Sequence, residues 1–289
     1  MVTLESTLVS TDWLQRHLGL PDLSIIDIRG YVRSRDVGGG QQVADYLPAT
    51  DEYLEGHIPG AVFVDWTVDI VDVDDPVKAQ IAGHERFKDA MEARGIGNET
   101  AVVCVDHAGG HFATRMWWAL RYYGHRNVAV LDGGFNKWSR EGRPVTEVVP
   151  TPARATFTPE VDPDRRSTWS DVLGRTGDAT VVDARNADTI SGKVWRGARA
   201  GHIAGAISLP ADDLFNPDGT WKSDDELRQI VANAGITPER GTIAYCNGGV
   251  TATAVLFALD RIGNRNWSNY DGSWNEWSER ADLPVETGE

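Results

Sequence analysis

Cysteine is scarce in this chain. Only Cys104 and Cys246 occur among 289 residues, too few for a thiolate metal site and not needed as a staple at this length. No apolar run approaches the roughly 20 residues required to cross a bilayer. The opening stretch, MVTLESTLVSTDWLQRHLGL, carries Glu5 early and shows neither a basic leader nor a continuous apolar core, so it does not read as an export signal. Positive charge is short too: 28 Lys and Arg stand against 43 Asp and Glu, a formal net charge of −15. That field repels phosphate backbones and anionic lipid, which removes nucleic acid and membrane from the expected partners. An anionic substrate would have to be drawn in by a local positive site. The seven histidines show no metal-ligand spacing, so neither metal nor cofactor is expected. A reduced, cytoplasmic setting follows, and each thiol has to be judged by its own surroundings.

What the chain does have is a copy of itself. The stretch Asp132-Gly133-Gly134-Phe135-Asn136-Lys137-Trp138 returns 139 residues later as Asp271-Gly272-Ser273-Trp274-Asn275-Glu276-Trp277. The same offset carries Gly124 onto Gly263, Ala113 onto Ala252, and Gly109-Gly110 onto Gly248-Gly249. Upstream, Gly56-His57-Ile58 is answered by Gly201-His202-Ile203, and Ile26-Asp27-Ile28-Arg29 by Val182-Asp183-Ala184-Arg185. From Asp27 to His57 is 30 residues and from Asp183 to His202 only 19, so the first half carries an extra loop there. Two homologous domains of about 130 residues follow, an ordinary size. The proline-rich, aperiodic stretch VTEVVPTPARATFTP reads as a linker, giving domains 1–145 and 160–289 joined by 146–159.

Short β-branched runs alternate with longer helical patterns in each half. In the second, strands are expected at 180–182, 206–209, 242–245 and 266–270, with helices at 224–234 and 251–262. Val255, Leu256, Leu259 and Ile262 recur at helical spacing, and Gly263 closes that helix. The alternation implies an α/β fold, each domain a mostly parallel sheet flanked by helices. Chemistry in such sheets gathers in loops at the carboxyl ends of strands.

The duplication also serves as an internal control, because residues present in one half alone are the candidates for function. Cys104 lies in the apolar run AVVCV, and the offset of 139 gives it Ile243 as counterpart; it reads as a small core residue. Cys246 ends a strand and is followed by Asn247, Gly248, Gly249, Val250 and Thr251 before a helix begins, with His107 as its expected counterpart. Backbone amides and the helix dipole at such a turn stabilise a thiolate and lower the thiol pKa. Gly248 and Gly249 let those amides converge into an anion nest. Cys246 is therefore the expected nucleophile. His57 and His202 occur in both halves and read as structural, as do Trp138 and Trp277. Asp271, twinned with Asp132, is expected to fix a wall beside the Cys246 loop.

The run from Cys246 to Thr251, the Asp-Gly-Ser-Trp turn from Asp271 to Trp274, and the paired Gly-His-Ile segments resemble the rhodanese family, specifically its tandem-domain thiosulfate and 3-mercaptopyruvate sulfurtransferases. The likeness covers nearly the whole chain. It implies two rhodanese-like domains, with the first catalytically silent: its loop from Asp106 to His111 has no cysteine. It further implies a two-step reaction through a Cys246 persulfide. A small sulfur donor gives its sulfane sulfur to the thiolate, and a thiophilic acceptor, cyanide or a thiol, removes it; a thioredoxin-like reductant is an expected acceptor. Arg185 matches the family arginine that contacts the donor carboxylate, while Arg29 occupies its place in the first half. Arg196 and Arg199 are the candidates for a second substrate arginine. Uncharged Asn247 and Gly248 point toward mercaptopyruvate. Gly248 also stands where mercaptopyruvate enzymes commonly carry a serine, so a serine-based triad does not apply. Two other functions share the thiolate chemistry: a persulfide-carrying regulatory or binding module, and a cysteine-dependent phosphatase or arsenate reductase. The latter needs an arginine where Ala252 stands.

Overall fold

A computed structural model describes residues 2–107, 109–174 and 179–288. Ala108, in the first-half loop compared above, lies outside the described residues. The first half contains β1 (Leu8–Val9), β2 (Leu23–Asp27), β3 (Gly30–Gly38), β4 (Gln41–Pro48), β5 (Ala61–Phe63), β6 (Ala101–Val105) and β7 (Val128–Leu131). The second contains β8 (Arg166–Ser167), β9 (Ala179–Asp183), β10 (His202–Ile203), β11 (Ile207–Ser208), β12 (Gly241–Tyr245), β13 (Trp267–Tyr270) and β14 (Val285–Glu286). Five strands of each set form a parallel sheet, ordered β1-β7-β6-β2-β5 and β8-β13-β12-β9-β11. Exchange each strand for its repeat partner and the two orders are the same. The α/β class expected from the alternation is the observed one. β6 is buried at all five positions and apolar throughout, as a strand covered on both faces should be.

The extra loop of the first half is an antiparallel hairpin, β3 with β4. Its turn uses Gly38, Gly39 and Gly40, all at positive φ, where side-chain-bearing residues are strained. Instead of folding back on its own sheet, the hairpin reaches the second half. Gln42 N–H donates to Trp195 O at 2.7 Å, and Trp195 N–H to Gly40 O at 3.0 Å.

The halves meet about a pseudo-twofold axis. The helices His111–Tyr122 and Ala252–Arg261 pack on each other. At their contact the repeat partners Thr114 and Thr253 join through their hydroxyls at 2.9 Å. Arg121 approaches its own repeat partner, Asp260, at 3.9 Å. Trp117 meets Phe257 edge to face at 5.1 Å, a geometry that adds about 0.5–1.5 kcal/mol beyond area burial. The repeated Asp-Gly turns reciprocate: Asp132 accepts Trp221 N–H at 2.9 Å, and Asp271 accepts Ile81 N–H at 2.7 Å. Such mutual use of equivalent groups is the hallmark of a two-fold interface, here within one chain. Residues 147–162 form neither helix nor strand, but they are strapped to the first half. Ala155 N–H donates to Glu92 O, Glu160 N–H to Tyr123 O, and Phe157 is fully buried.

Strand register corrects one equivalence drawn from the sequence. Asp27 pairs with Val105, whereas its repeat partner Asp183 pairs with Tyr245. Val105 and Tyr245 are 140 apart, so in this strand the offset is 140, returning to 139 at Thr114 and Thr253. Cys104 therefore corresponds to Ala244, and Cys246 to Asp106 rather than His107. The first-half loop is one residue longer than its twin.

Candidate active site

Cys246 follows the last residue of β12 and is 3% exposed. Its N–H donates to Ser273 Oγ at 3.1 Å, and that hydroxyl donates onward to Tyr270 O at 2.8 Å. Its carbonyl accepts Trp274 N–H at 3.1 Å, and Asn247 O accepts Asn275 N–H at 2.8 Å. Ser273 sits at φ +51°, a region costly for a residue with a side chain. The two hydrogen bonds of its hydroxyl hold it there and tie the Asp-Gly turn to the base of the loop. Gly249, at φ +70°, admits no side chain, since a Cβ would lie 2.7 Å from Asp271 Oδ1 and 2.8 Å from Asp271 O. The loop rises from this base with its amides uncommitted. Among the described residues, no acceptor takes the N–H of Asn247, Gly248, Gly249, Val250, Thr251 or Ala252.

The first half shows what such a loop does with its amides. Asp106, in register with Cys246, turns its carboxyl back onto the loop. Asp106 Oδ2 accepts Phe112 N–H at 3.0 Å and Ala113 N–H at 3.1 Å. Those residues are the repeat partners of Thr251 and Ala252. Burial raises the Asp106 pKa against the opposing pull of these amides, His111 and His107. In one copy two of the loop's amides are taken by its own side chain; in the other the two equivalent amides stay open beside a thiol. Beside the filled loop, His107 Nε2 lies 2.8 Å from Glu52 Oε2, and Tyr31 donates its hydroxyl to Glu52 Oε1 at 2.5 Å.

Cys246 opens into a cleft of about 550 Å³ shared by both halves. The second half contributes Arg185, Asn186, Trp195, Arg196 and the loop residues Asn247, Gly248, Val250 and Thr251; Gly249 lies behind them. The first half contributes Tyr31, Val32, Ser34, Gln42 and Tyr46 from the hairpin, with His111. The hairpin and the 195–196 segment thus arch over the thiol together, and Arg196 closes the arch by donating to Ser34 Oγ.

The three arginines singled out from the sequence are used differently. Arg185 Nε bonds both carboxylate oxygens of Asp183, at 2.9 and 3.1 Å, and Nη2 bonds Asp183 Oδ2 and Gly201 O. Its Nη1 is buried with no partner. Arg29 makes the same pair with Asp27 in the first half. Arg196 lines the cleft. The structure does not bring Arg199 there, because its guanidinium is fully engaged by the carbonyls of Ser278, Leu283, Trp277 and Arg280. His57 and His202 are likewise held to backbone carbonyls, Tyr53 O and Ile190 O, outside the cleft lining. No group of three His, Cys, Asp or Glu among the described residues is placed to hold a metal ion.

Beneath the loop lies a residue that sequence reasoning missed. Arg115, on a first-half helix and 1% exposed, donates to Asp271 Oδ1 at 2.5 Å and Gly249 O at 3.1 Å through Nη1, and to Ala79 O at 2.8 Å through Nη2. Asp271 also accepts Ile81 N–H, while Gln80 Nε2 donates to Asp271 O. The wall expected of Asp271 is real, and the first half braces it.

A buried thiol at the carboxyl end of a parallel strand, over a loop of uncommitted amides and between two copies of one α/β unit, marks a tandem-domain transferase with Cys246 as its candidate nucleophile. Comparison with known proteins narrows the class. The family model for the rhodanese-like domain matches residues 10–141 and 168–280. A Mycolicibacterium smegmatis protein provisionally named a thiosulfate sulfurtransferase is 34% identical over 291 residues, 97% of this chain and 98% of its own. The sulfur carrier protein TtuD of Thermus thermophilus is 34% identical over 297 residues, covering 98% of this chain and 97% of its own. The crystal structure of SseA from Escherichia coli, a 3-mercaptopyruvate sulfotransferase by its description, superposes with a TM-score of 0.81 at 32% identity, over 93% of this chain and 99% of that one. The chain belongs to the rhodanese family, in its tandem-domain sulfurtransferase form.

Proposed function

We propose that Cys246 carries the migrating sulfur as a persulfide, with 3-mercaptopyruvate favoured over thiosulfate as donor. In the first step the Cys246 thiolate attacks the donor's transferable sulfur, the thiol sulfur of mercaptopyruvate or the sulfane sulfur of thiosulfate. The bond from that sulfur to the rest of the donor breaks, releasing pyruvate or sulfite. In the second, a thiophilic acceptor, cyanide or a thiol such as that of a thioredoxin-like reductant, attacks the outer sulfur and restores the thiolate. The uncommitted amides from Asn247 to Ala252 stabilise the negative charge on sulfur in both steps, as an oxyanion hole does for oxygen. The observation that carries this reading is the contrast between the loops: the amides of Phe112 and Ala113 are taken by Asp106 in one half, while those of their repeat partners Thr251 and Ala252 stay open beside Cys246 in the other. On the same reading domain 1–145 is catalytically silent, 146–159 links the domains, and 160–289 holds the chemistry. The setting is cytoplasmic, where the free thiols stay reduced.

The donor preference rests on two features. The loop beyond the thiol is uncharged, and the unpartnered Arg185 Nη1 offers a buried donor suited to a carboxylate. Arg196 is the second cationic group on the same cleft. Incubation with either donor adds the mass of one sulfur to the wild-type chain at Cys246. Cys246→Ser takes up none while Cys104→Ser labels normally. Label on Cys104 instead of Cys246 sinks the assignment, and a kcat/KM preference for thiosulfate overturns the donor choice.

A further inference from the structure

The two donors differ in what they leave behind. Thiosulfate releases sulfite, a stable anion that needs no proton. Mercaptopyruvate releases pyruvate as a carbanion or enolate. When the Cys246 thiolate takes the sulfur of HS–CH2–CO–COO⁻, the S–C bond breaks, its electron pair stays on carbon, and Cys246 becomes the persulfide Cys–S–SH. The methylene carbon then has to gain one proton to become the methyl group of pyruvate. An acid beside the sulfur delivers that proton faster than water does, and the Cys246 loop offers no carboxylic acid, phenol or imidazole of its own.

We infer that Tyr46, on the hairpin of the first half, is the proton donor to the carbon that leaves mercaptopyruvate. This rests on the sulfurtransferase reading and adds an acid to it. Tyr46 lines the cleft with Cys246 and meets the loop directly: its hydroxyl oxygen lies 3.3 Å from where a Cβ at Gly248 would stand. Asn275 Nδ2 donates to that oxygen at 3.2 Å, so a lone pair is engaged while the hydroxyl proton has no acceptor among the described residues. Tyr31, the other phenol on the cleft, already commits its hydroxyl hydrogen bond to Glu52 Oε1. His111, the imidazole on the cleft, has its pKa lowered chiefly by burial and stays neutral, Asp212 beside it is exposed to water, and the serine and threonine hydroxyls nearby are far weaker acids. Burial, the largest influence, holds the Tyr46 pKa above its ordinary value, so the proton is present at neutral pH. Nearby Arg196 and the Asn275 amide steady the phenolate left after transfer, and water then returns the proton. Gly248 has no side chain because the phenol and the Asn275 amide fill the place one would take; a Cβ there would lie 2.9 Å from Asn275 Nδ2.

Tyr46→Phe removes one hydroxyl and leaves the ring packed against Trp66, 5.4 Å between centroids. The test compares kcat/KM for mercaptopyruvate and thiosulfate in wild type and Tyr46→Phe, with thermal unfolding recorded for both. The mercaptopyruvate-to-thiosulfate ratio is expected to fall about 100-fold, the low end for loss of a general acid. Added imidazolium buffer is expected to raise the mercaptopyruvate kcat of the variant in proportion to its concentration, by protonating the carbanion in place of the phenol. An unchanged ratio overturns the inference. So does a lowered ratio with no buffer response, which makes Tyr46 a packing residue, or a wild-type protein that takes sulfur from thiosulfate alone. Failure of the wild type to form a Cys246 persulfide from either donor refutes the parent reading instead.

Discussion

Replacing Arg115 with methionine tests whether the first half physically supports the Cys246 loop. The side chain is 1% exposed and makes three hydrogen bonds, to Asp271 Oδ1, Gly249 O and Ala79 O, with its guanidinium 4.4 Å from the Trp118 ring centroid. Methionine fills the stem but leaves Asp271, fully buried, short of its closest cation. Unpairing a buried charge costs about 3–5 kcal/mol. The lower end applies, because Ile81 N–H at 2.7 Å and Arg166 at 3.7 Å remain. A loss of about 3 kcal/mol lowers the urea midpoint by roughly 1 M at an m-value near 3 kcal/mol/M. Persulfide formation slows as well, since the Gly249 carbonyl loses its anchor. Adding Asp271→Asn removes the orphaned charge while keeping an acceptor for Ile81, and recovers part of the lost stability. Urea denaturation followed by tryptophan fluorescence measures all three proteins. A single-variant loss below about 1 kcal/mol, the range of an exposed pair, refutes the bracing role.

Two further outcomes are expected. Arg185→Lys keeps a positive charge beside Asp183 but loses the planar fork and the unpartnered Nη1; kcat/KM for mercaptopyruvate drops at least about tenfold, the worth of one charged hydrogen bond, and unchanged kinetics would make Arg185 purely structural. His125, 1% exposed, has its pKa lowered chiefly by burial, against backbone contacts at Asn127 and Thr100 and the charge of Glu99. Below the unfolded value near 6.5 the unfolded chain binds the extra proton, so stability falls as pH drops, by up to about 1.4 kcal/mol per pH unit. Urea midpoints at pH 7.5 and 5.5 should therefore diverge less in His125→Gln than in wild type; equal divergence excludes this histidine as the cause.

Fold class and duplication were legible because they reside in local patterns: the Asp-Gly turns, the Gly-His-Ile segments and the alternation of strand with helix. Cys246 was legible because the loop around it announces its backbone geometry through paired glycines. The off-by-one pairing of Cys246 with His107 arose where the signal is weakest. β6 and β12 are runs of interchangeable apolar residues, so only the ladder fixes their register. Arg199 resembled a free cation because its four carbonyl partners come from a turn some 80 residues on, met only in the folded chain. Arg115 and Tyr46 escaped for the same reason, as each acts on a segment more than 130 residues away. The hairpin had left a mark: Gly38-Gly39-Gly40 between alternating runs is a turn signal, present in the sequence and taken there only as an added loop.

The arch from the first half over the thiol bears on how a gene duplicate persists. The copy with the inward-turned carboxyl is the ceiling and footing of the other. A fragment spanning 160–289 alone would bare its sulfur to water, leave Asp271 without Arg115 and lose every hairpin contact over the loop. On the proposed reading the first half therefore cannot be shed: it survives as masonry around its sibling's thiol.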